Sequence, residues 1–171
     1  MSRKRAFIVD GYNVLRRGVP YSMIAAEDLD AARTRLVSDI AAFAQGEIDV
    51  IVVFDGAGNP HSDGAPHDVA GLTVIFSPYA VDADTVIEHA ALAERATGAD
   101  VTVVTSDAQT QWAVMGMGVA RMSSDEFITE LAGERAEYRH AMPSGAGKST
   151  VSERIDSDVA AALARWARGE P

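Results

Sequence analysis

The sequence predicts an α/β domain built on a mainly parallel β-sheet that is flanked by helices. Short apolar runs of the length of buried strands alternate along the chain with segments whose apolar residues recur at helical spacing. Such alternation is typical of a parallel sheet covered on both faces. Three of the apolar runs end in an aspartate. In open α/β sheets ligands bind beyond the carboxyl ends of the strands, so we expect a functional site there.

The first predicted strand covers residues 7–9 and is followed by Asp10, Gly11, Tyr12 and Asn13. An apolar run of this length, bounded by a turn signal, reads as a buried strand. Glycine allows the backbone to leave a strand sharply, so Gly11 predicts a tight turn directly after Asp10. Asp10 and Asn13 should therefore lie at the carboxyl end of this strand.

The next elements follow from hydrophobic periodicity and from turn-forming residues. They are, in chain order, a loop over residues 14–26, a helix over 27–44, a strand over 49–54 that leads into Asp55, a long loop over 56–71 and a strand over 72–76. The long loop is rich in Gly, Pro, Asp and His, and it follows the second strand-end aspartate. We therefore expect this loop to lie beside the site.

The second half of the chain continues the alternation. Its predicted elements are a helix opened by Asp82 and Asp84 and closed at Thr97, a strand over 101–104 that runs through Thr105 and Ser106 into Asp107, a short helix from Asp107, a strand over 119–122 and a helix capped by Ser123 or Ser124. The predicted organisation is a domain over residues 1–140, a flexible linker over 141–150 and a tail helix over 151–171. An apolar stripe that includes Trp166 predicts that the tail helix docks on the domain or meets a partner.

Composition narrows the class of protein. A net charge of −10 over 171 residues argues against a protein that coats nucleic acid non-specifically, because that role needs a broad basic surface. It is compatible with a nuclease whose acids are concentrated at a metal centre. The chain has no cysteine, which excludes disulfides and thiolate metal sites, and it has no apolar run of membrane-spanning length. With no secretory signal before the first strand, we expect a cytoplasmic location and no membrane partner.

The strand-end acids point to a shared metal site. If the strands are parallel, the ends that carry Asp10, Asp55 and Asp107 lie roughly 5–10 Å apart. Carboxylates this close repel one another unless a cation lies between them. Asp82 or Asp84, at the start of a helix, could add a further acid. The alternative is that each strand-end aspartate only caps the helix that follows it.

Basic and polar residues near these acids are candidates for substrate contacts. Arg16 and Arg17 follow the first strand-end motif closely enough to reach a bound phosphate, or they are solvated loop charges. Ser106 has no histidine in a relay position, so a hydrogen bond to substrate or to metal-bound water fits better than a nucleophile. His61 and His67 in the long loop could contact substrate, and their spacing matches no zinc signature.

Several short motifs occur in one order along the chain. They are Phe-Ile-Val-Asp10-Gly11-Tyr12-Asn13-Val, Val-Val-Phe54-Asp55, Ala83-Asp84-Thr-Val-Ile87-Glu88 and Val-Val-Thr-Ser106-Asp107, then Gln111-Trp112, Gly116-Met117-Gly118, a Ser-Ser-Asp-Glu helix start and the tail from Arg154 to Arg165. This ordered set resembles the YacP-like NYN domains, which belong to the PIN-like nucleases. The resemblance covers nearly the whole chain, and it is specific as a set although each motif alone is weak.

The resemblance implies a Rossmann-like PIN/NYN fold and metal-dependent, endonucleolytic cleavage of RNA, which in some members is linked to the ribosome. Carried over by position, the implied site residues are Asp10, Asp84 and Asp107 as the principal metal-binding acids, with Asn13, Asp55 and Ser106 in support. Asp82 falls where the family has no fixed acid, so the resemblance favours Asp84 of these two.

We therefore predict a Mg²⁺- or Mn²⁺-dependent endoribonuclease, because hard carboxylate oxygens suit these ions. Asp10 and Asp107 would hold the ion between strand ends, and Asp84 would complete or bridge the site. Asn13 would orient a phosphate or a water. The predicted partner is RNA, including ribosome-bound mRNA. Two alternatives stay open: a PIN-like module that binds RNA or the ribosome with little catalysis, and a nuclease for branched or single-stranded DNA.

Overall fold

The structure is a computed structural model that describes residues 3–141 and 152–171. Its strands are β1 (Arg5–Asp10), β2 (Asp49–Phe54), β3 (Pro66–Val69), β4 (Leu72–Phe76), β5 (Asp100–Val104) and β6 (Ala120–Met122). Its helices are α1 (Gly11–Arg17), α2 (Tyr21–Glu27), α3 (Leu29–Ala44), α4 (Ala83–Ala96), α5 (Ala108–Ala113), α6 (Ser124–Ala141) and α7 (Ser152–Ala167). Within these ranges, every helix is too short or too polar to span a lipid bilayer.

The strands form one sheet in the order β3-β4-β2-β1-β5-β6. β1 lies inside the sheet and pairs in parallel with β2 on one side and with β5 on the other. β4 and β6 extend the sheet in parallel, whereas β3 pairs antiparallel with β4 at one edge. The parallel strands lie in the order β4-β2-β1-β5-β6. Along the chain, the sheet grows from β1 through β2 to β4 on one side and then from β5 to β6 on the other. The winding of the sheet therefore reverses between β1 and β5. The predicted fold class, a mainly parallel sheet flanked by helices with a C-terminal helix, is confirmed.

The two faces of the sheet carry separate hydrophobic clusters, and β1 contributes to both because successive side chains of a strand point to opposite faces. Phe7 and Val9 pack with residues of α1, α2, α3, α6 and α7 on one face. Ala6 and Ile8 pack on the other face with residues of α4, including the fully buried Ile87. Helices therefore cover both faces, and the carboxyl ends of the strands are left for polar side chains.

The prediction of a loop over residues 14–26 is wrong. Most of this segment is helical, in the end of α1 and in α2. Gly18 and Pro20, which suggested irregular structure, only separate two seven-residue helices. Such short helices are unstable alone, and the burial of Leu15 and Tyr21 against the core stabilises them here. The helix predicted from residue 27 is split as well, because α2 ends there and α3 begins two residues later.

Gly11 has a packing role rather than the turn-forming role that its position suggested. The chain passes directly from β1 into α1 at Gly11, whose φ is not in the left-handed region. A Cβ atom at this position would clash with the ring of Phe54 at the end of β2. Glycine therefore allows the first turn of α1 to lie against β2, and Asp10 remains at the carboxyl end of its strand as predicted.

The long loop predicted over residues 56–71 is wrong in its last part, which contains β3. Pro66 opens this strand, a position that proline tolerates at the edge of a sheet. A two-residue turn with left-handed backbone at Ala70 (φ 53°) and Gly71 (φ 80°) joins β3 to β4. Hairpin turns of this kind usually contain Asn-Gly or Asp-Gly, and Ala-Gly does not carry that signal. The hairpin therefore had no recognisable turn sequence.

The C-terminal helix packs on the body of the protein. Val159 and Leu163 are buried in the cluster that also contains residues of α3, and Trp166 packs against it. The docking predicted from the apolar stripe is confirmed. α6 extends from Ser124 to Ala141, so it is longer than the helix predicted after the cap at Ser123 or Ser124. Of the linker predicted over residues 141–150, only Ala141 belongs to the described residues.

Candidate active site

Polar residues from two neighbouring strands meet where the winding of the sheet reverses. Asp10 is the last residue of β1, and Thr105, Ser106 and Asp107 directly follow β5. Because β1 and β5 are parallel neighbours, these residues lie side by side at the carboxyl edge. Asp84 reaches the same edge from the first turn of α4. Ligands of doubly wound α/β proteins bind at this switch point.

Two buried threonines link the three acids. The Thr105 hydroxyl donates to Asp10 Oδ2 at 3.1 Å and accepts from the backbone N–H of Asp107 at 3.1 Å. The Thr110 hydroxyl donates to Asp84 Oδ1 at 2.5 Å and lies 3.4 Å from Asp107 Oδ1. Both threonine side chains are excluded from solvent. The carboxylates of Asp10, Asp84 and Asp107 therefore belong to one connected network, which we call the acidic network.

Helix capping, the alternative role for strand-end aspartates, is also observed. Asp10 caps α1, Asp82 caps α4 and Asp107 caps α5. Asp107 uses only Oδ1 for this purpose, which accepts the backbone N–H groups of Gln109 at 2.9 Å and Thr110 at 3.1 Å. Its Oδ2 receives no hydrogen bond from the part of the chain that the structure describes. A carboxylate offers about four acceptor sites, so capping is compatible with a further ligand.

Asp10 is the buried member of the network, with 9% of its surface exposed. Burial raises the pKa of Asp10 to about 6, and the neighbouring charges of Asp84 and Asp107 add to the increase. Hydrogen bonds from Asn13 and Thr105 act in the opposite direction. The sequence predicted that repulsion among the acids would destabilise the site. The larger cause of the raised pKa of Asp10 is desolvation, and repulsion adds to it. Asp10 is still mostly ionised at neutral pH, but its ionisation costs more in the folded protein than in the unfolded chain, and a nearby cation would offset that cost.

Among the side chains that the structure describes, the acidic network has no cationic partner. No arginine, lysine or histidine of this set forms an ion pair with Asp10, Asp84 or Asp107. Over the same ranges, no group of three His, Asp or Glu side chains is arranged as a ready-made metal cage. Mg²⁺ requires less than such a cage, because one or two carboxylates hold it and water fills its other positions. The donor chemistry of the network fits that ion.

Asn13 is held in one orientation by two serines. Its Oδ1 accepts the backbone N–H of Ser106 at 2.8 Å and the hydroxyl of Ser124 at 2.7 Å. The Ser106 hydroxyl accepts the backbone N–H of Ser124 at 2.9 Å, which fastens the start of α6 to the end of β5. Because Oδ1 is engaged by two donors, the Asn13 NH₂ group remains free to donate, and no described residue accepts from it. Asn13 is thus a fixed hydrogen-bond donor three residues after Asp10.

The other predicted site residues lie around this network without joining it. Arg16 and Arg17 are exposed in the last turn of α1, not in a loop, and neither has an ion-pair partner among the described residues. The Arg16 guanidinium carbon lies 5.8 Å from the centre of the Tyr12 ring. Asp55 is exposed at the end of β2, where its Oδ1 accepts the backbone N–H of Ala57 at 2.9 Å.

Strand β3, which contains His67, and the loop that precedes it, which contains His61, contact the C-terminal helix. The His67 ring stacks on Trp166 with 3.9 Å between centroids and 11° between planes. Asn59 Nδ2 donates to the backbone oxygen of Ala167 at 3.0 Å. His61 and His67 line a small cavity of about 90 Å³ beside Trp166, and burial lowers the pKa of His67. His67 therefore has a packing role, and neither histidine belongs to a metal cluster within the described ranges.

The roles of Thr105 and Thr110, and the bond from Ser124 to Asn13, are not predicted from the sequence. A local signal existed for Thr110, because a hydroxyl three residues after an N-cap aspartate lies close to the cap. Thr105 directly precedes two predicted site residues, which is a weaker signal. The bond from Ser124 to Asn13 spans 111 positions, so no local pattern could indicate it.

The fold and the site together define a class: Rossmann-like α/β domains with carboxylates and an asparagine at the switch point of a mainly parallel sheet. A family model described as YacP-like NYN domain matches residues 7–168, which is nearly the whole chain. The chain belongs to the YacP-like NYN domain family. Membership supports assignment to the PIN-like nucleases.

Relatives from Bacillus subtilis resemble the chain over its length. The uncharacterized protein YacP of Bacillus subtilis (strain 168) is 30% identical over 178 residues, which cover 95% of this chain and 96% of that protein. The crystal structure of Rae1 (YacP) from Bacillus subtilis has a TM-score of 0.67 and 27% identity, covering 96% of this chain and 95% of that chain. A point mutant of Rae1 gives a TM-score of 0.69 and 27% identity over 92% and 99% of the two chains. The similarity therefore includes the C-terminal helix.

Proposed function

We propose that this protein is a divalent-metal-dependent endoribonuclease that hydrolyses phosphodiester bonds of RNA. The observation that carries the proposal is the acidic network, in which Asp10, Asp84 and Asp107 gather at the switch point without a cationic partner among the described residues. Natural proteins retain such a destabilising arrangement where function requires it. Membership of the YacP-like NYN family supports the nuclease class.

Mg²⁺ or Mn²⁺ fits the network because both ions prefer carboxylate and water oxygens. Asp10 and Asp107, from neighbouring strand ends, would hold the ion, and Asp84 would complete the site. When bound, such an ion lowers the pKa of a water molecule and neutralises charge that develops on the phosphate. Thr105 and Thr110 would keep the three acids in register with one another. The Thr110 hydroxyl contacts the carboxylates of Asp84 and Asp107, and the Thr105 hydroxyl joins the Asp10 carboxylate to the backbone N–H of Asp107.

The remaining residues of the site would bind and orient the RNA backbone. The Asn13 NH₂ group would donate to a phosphate oxygen or to the attacking water, with its direction fixed by Ser106 and Ser124. Arg16 and Arg17, one helical turn further along α1, would bind neighbouring phosphates through charge-assisted hydrogen bonds. RNA, including ribosome-bound mRNA, is the partner that this arrangement would serve.

A pair of aspartates at the start of α4 provides the test. We expect Asp84→Asn to lower Mg²⁺-dependent cleavage of RNA about 100-fold or more, because the change removes one charged oxygen donor from the network. Asp82→Asn is the matched control: it removes the same charge two residues away, and asparagine caps helices as well as aspartate does. Initial rates on end-labelled RNA measure both variants. Equal cleavage rates for the two variants would contradict the assignment.

The substrate class is tested with a panel of nucleic acids. Single-stranded RNA, structured RNA, single-stranded DNA and branched DNA are offered to the wild-type protein with Mg²⁺ and with Mn²⁺. We expect cleavage within the RNA chains that disappears with EDTA and in the Asp84→Asn variant. Cleavage of the DNA substrates alone would show that the chemistry is as proposed but that RNA is the wrong substrate.

A weakly catalytic RNA-binding module is the second candidate. It is favoured by one observation, that no three ligating side chains of the described residues form a ready-made metal cage. Mn²⁺ binding by calorimetry together with no cleavage of any RNA in the panel would support this candidate. Metal-dependent cleavage that Asp84→Asn removes would reject it.

A further inference from the structure

Thr105, Ser106 and Asp107, which join β5 to α5, carry much of the proposed site, and we call them the β5–α5 connection. Each backbone N–H of the connection is engaged. The Thr105 N–H donates to the backbone oxygen of Met122 in β6 at 3.1 Å. The Ser106 N–H donates to Asn13 Oδ1 at 2.8 Å, and the Asp107 N–H donates to the Thr105 hydroxyl at 3.1 Å. The position of the connection therefore also depends on the groups that bind its carbonyl oxygens.

Gln111 of α5 binds two of these carbonyl oxygens. Its side-chain Nε2 donates to the backbone oxygen of Thr105 at 2.7 Å, and its backbone N–H donates to that of Asp107 at 3.0 Å. The bond to Asp107 is the ordinary hydrogen bond of a first helical turn. The bond to Thr105 is made by the side chain, and it reaches from the helix back to the end of the strand. One residue therefore ties both ends of the β5–α5 connection to α5.

The side-chain bond of Gln111 is made to a residue that is shielded from water. Thr105 is 1% exposed, and Gln111 is half-buried. A buried carbonyl that loses its donor stays unsatisfied or moves until another donor is in reach, and both outcomes are unfavourable. A shift of Thr105 would be passed on to the acids, because its hydroxyl donates to Asp10 Oδ2 and accepts the Asp107 N–H. The Gln111 amide therefore acts on two proposed metal ligands through one threonine.

We propose that Gln111 is a positioning residue for the metal site, which sets the spacing between Asp10 and Asp107 through Thr105. The inference rests on the proposed function and adds to it a residue outside the acidic network. Groups that hold metal ligands in place without touching the metal typically change metal affinity or activity about 10–100-fold when they are removed. A role in folding alone would instead lower the stability of the protein and leave the metal affinity of the folded state unchanged.

Gln111→Met tests this role, because methionine has a similar length to glutamine and lacks the amide donor. Gln109→Met is the matched control: it makes the same change on α5 at an exposed position, where the backbone N–H rather than the side chain contacts Asp107. Isothermal titration calorimetry measures the Mn²⁺ affinity of each protein without RNA, at a temperature well below its thermal unfolding transition. Initial rates on end-labelled RNA over a range of RNA and Mg²⁺ concentrations give kcat and KM separately.

We expect Gln111→Met to weaken Mn²⁺ binding about tenfold and to lower kcat by a similar factor at limiting Mg²⁺. Additional Mg²⁺ should restore part of the lost rate, because the defect lies in metal affinity. KM for RNA should change little, since Arg16 and Arg17 lie on α1 and keep their positions. Gln109→Met should match the wild type in all these measurements.

Wild-type Mn²⁺ affinity in Gln111→Met would overturn the positioning role, whether or not the variant melts at a lower temperature. Equal weakening in Gln109→Met would overturn it as well, because the effect would then belong to α5 as a whole. If Gln111→Met does not fold, Gln111→Asn provides the same test, since it withdraws the amide from Thr105 by one methylene and should also weaken Mn²⁺ binding. Failure of the proposed function is distinguishable: the wild-type protein would cleave no RNA, while its Mn²⁺ affinity still depended on Gln111. A wild-type protein that binds no Mn²⁺ would overturn both.

Discussion

Asp10→Asn should make the metal-free protein more stable at pH 8 while it removes RNA cleavage. Burial raises the pKa of Asp10 to about 6, compared with its ordinary value of 3.8. The folded protein therefore holds the Asp10 proton more tightly than the unfolded chain does, and ionisation of Asp10 opposes folding. This difference corresponds to about 3 kcal/mol in the free energy of unfolding. Asparagine has the same shape and can accept the Asn13 N–H without carrying a charge.

The gain in stability should have a defined dependence on pH. Below pH 3.8 Asp10 is protonated in both states, so the variant and the wild type should have similar free energies of unfolding. Between pH 3.8 and 6 the wild type loses stability relative to the variant, and above pH 6 the full difference remains. Urea unfolding in EDTA at pH 4 and pH 8 measures the effect. For a chain of this length, about 3 kcal/mol corresponds to a Tm difference of about 6–12 °C at pH 8.

The control for Asp10→Asn is Asp82→Asn. Hydrogen bonds from Thr85 lower the pKa of Asp82, so its ionised form favours folding and its removal should give no gain at pH 8. Added Mg²⁺ should raise the Tm of the wild type, because the ion binds the folded state, and should have little effect on Asp10→Asn. An Asp10→Asn protein that melts below the wild type in EDTA at pH 8 would contradict the electrostatic account of the site.

Leu163→Ala should lower the stability of the whole protein by about 2–5 kcal/mol. Leu163 is fully buried on α7, in the same hydrophobic cluster as residues of α3 and α6. Truncation removes apolar contacts and leaves a cavity that the surrounding helices fill only in part. If α7 belongs to the cooperative unit, the entire unfolding transition should shift to lower denaturant. Circular dichroism during urea unfolding measures this shift.

The control for Leu163→Ala is Leu92→Ala on α4, where leucine is 49% exposed. This substitution removes the same atoms from a half-solvated position, and we expect a change below about 1 kcal/mol. A biphasic transition in Leu163→Ala would show that α7 unfolds separately from the rest of the chain. An unchanged midpoint would contradict the contribution of α7 to the core.

The features that the sequence predicted correctly are those with local causes. The buried strands are short apolar runs, and the aspartates lie within three positions of the ends of these runs, so Asp10 and Asp107 could be assigned to the carboxyl edge without a structure. The parallel arrangement follows from the alternation of strands and helices. A contribution from Asp82 or Asp84 was predicted from their place at a helix start, and the choice of Asp84 depended on the family resemblance.

The features that the sequence did not predict depend on tertiary contacts. α1 and α2 are too short to be recognised by periodicity, and their stability comes from Leu15 and Tyr21 packing on the sheet. The turn at Ala70 and Gly71 lacks the residues that usually mark a hairpin. The hydroxyls of Thr105 and Thr110 join acids from three different elements, and residue type alone does not indicate such a role.

The hold of two serines on Asn13 has a consequence for biosynthesis. The amide emerges early in translation, but the groups that fix its direction follow 93 and 111 positions later. Contacts of such long range form only after the intervening chain has been ordered. A nascent polypeptide would therefore carry Asp10 for most of its elongation without a competent catalytic centre. The proposed nuclease would stay harmless to the message that encodes it until α6 has left the exit tunnel.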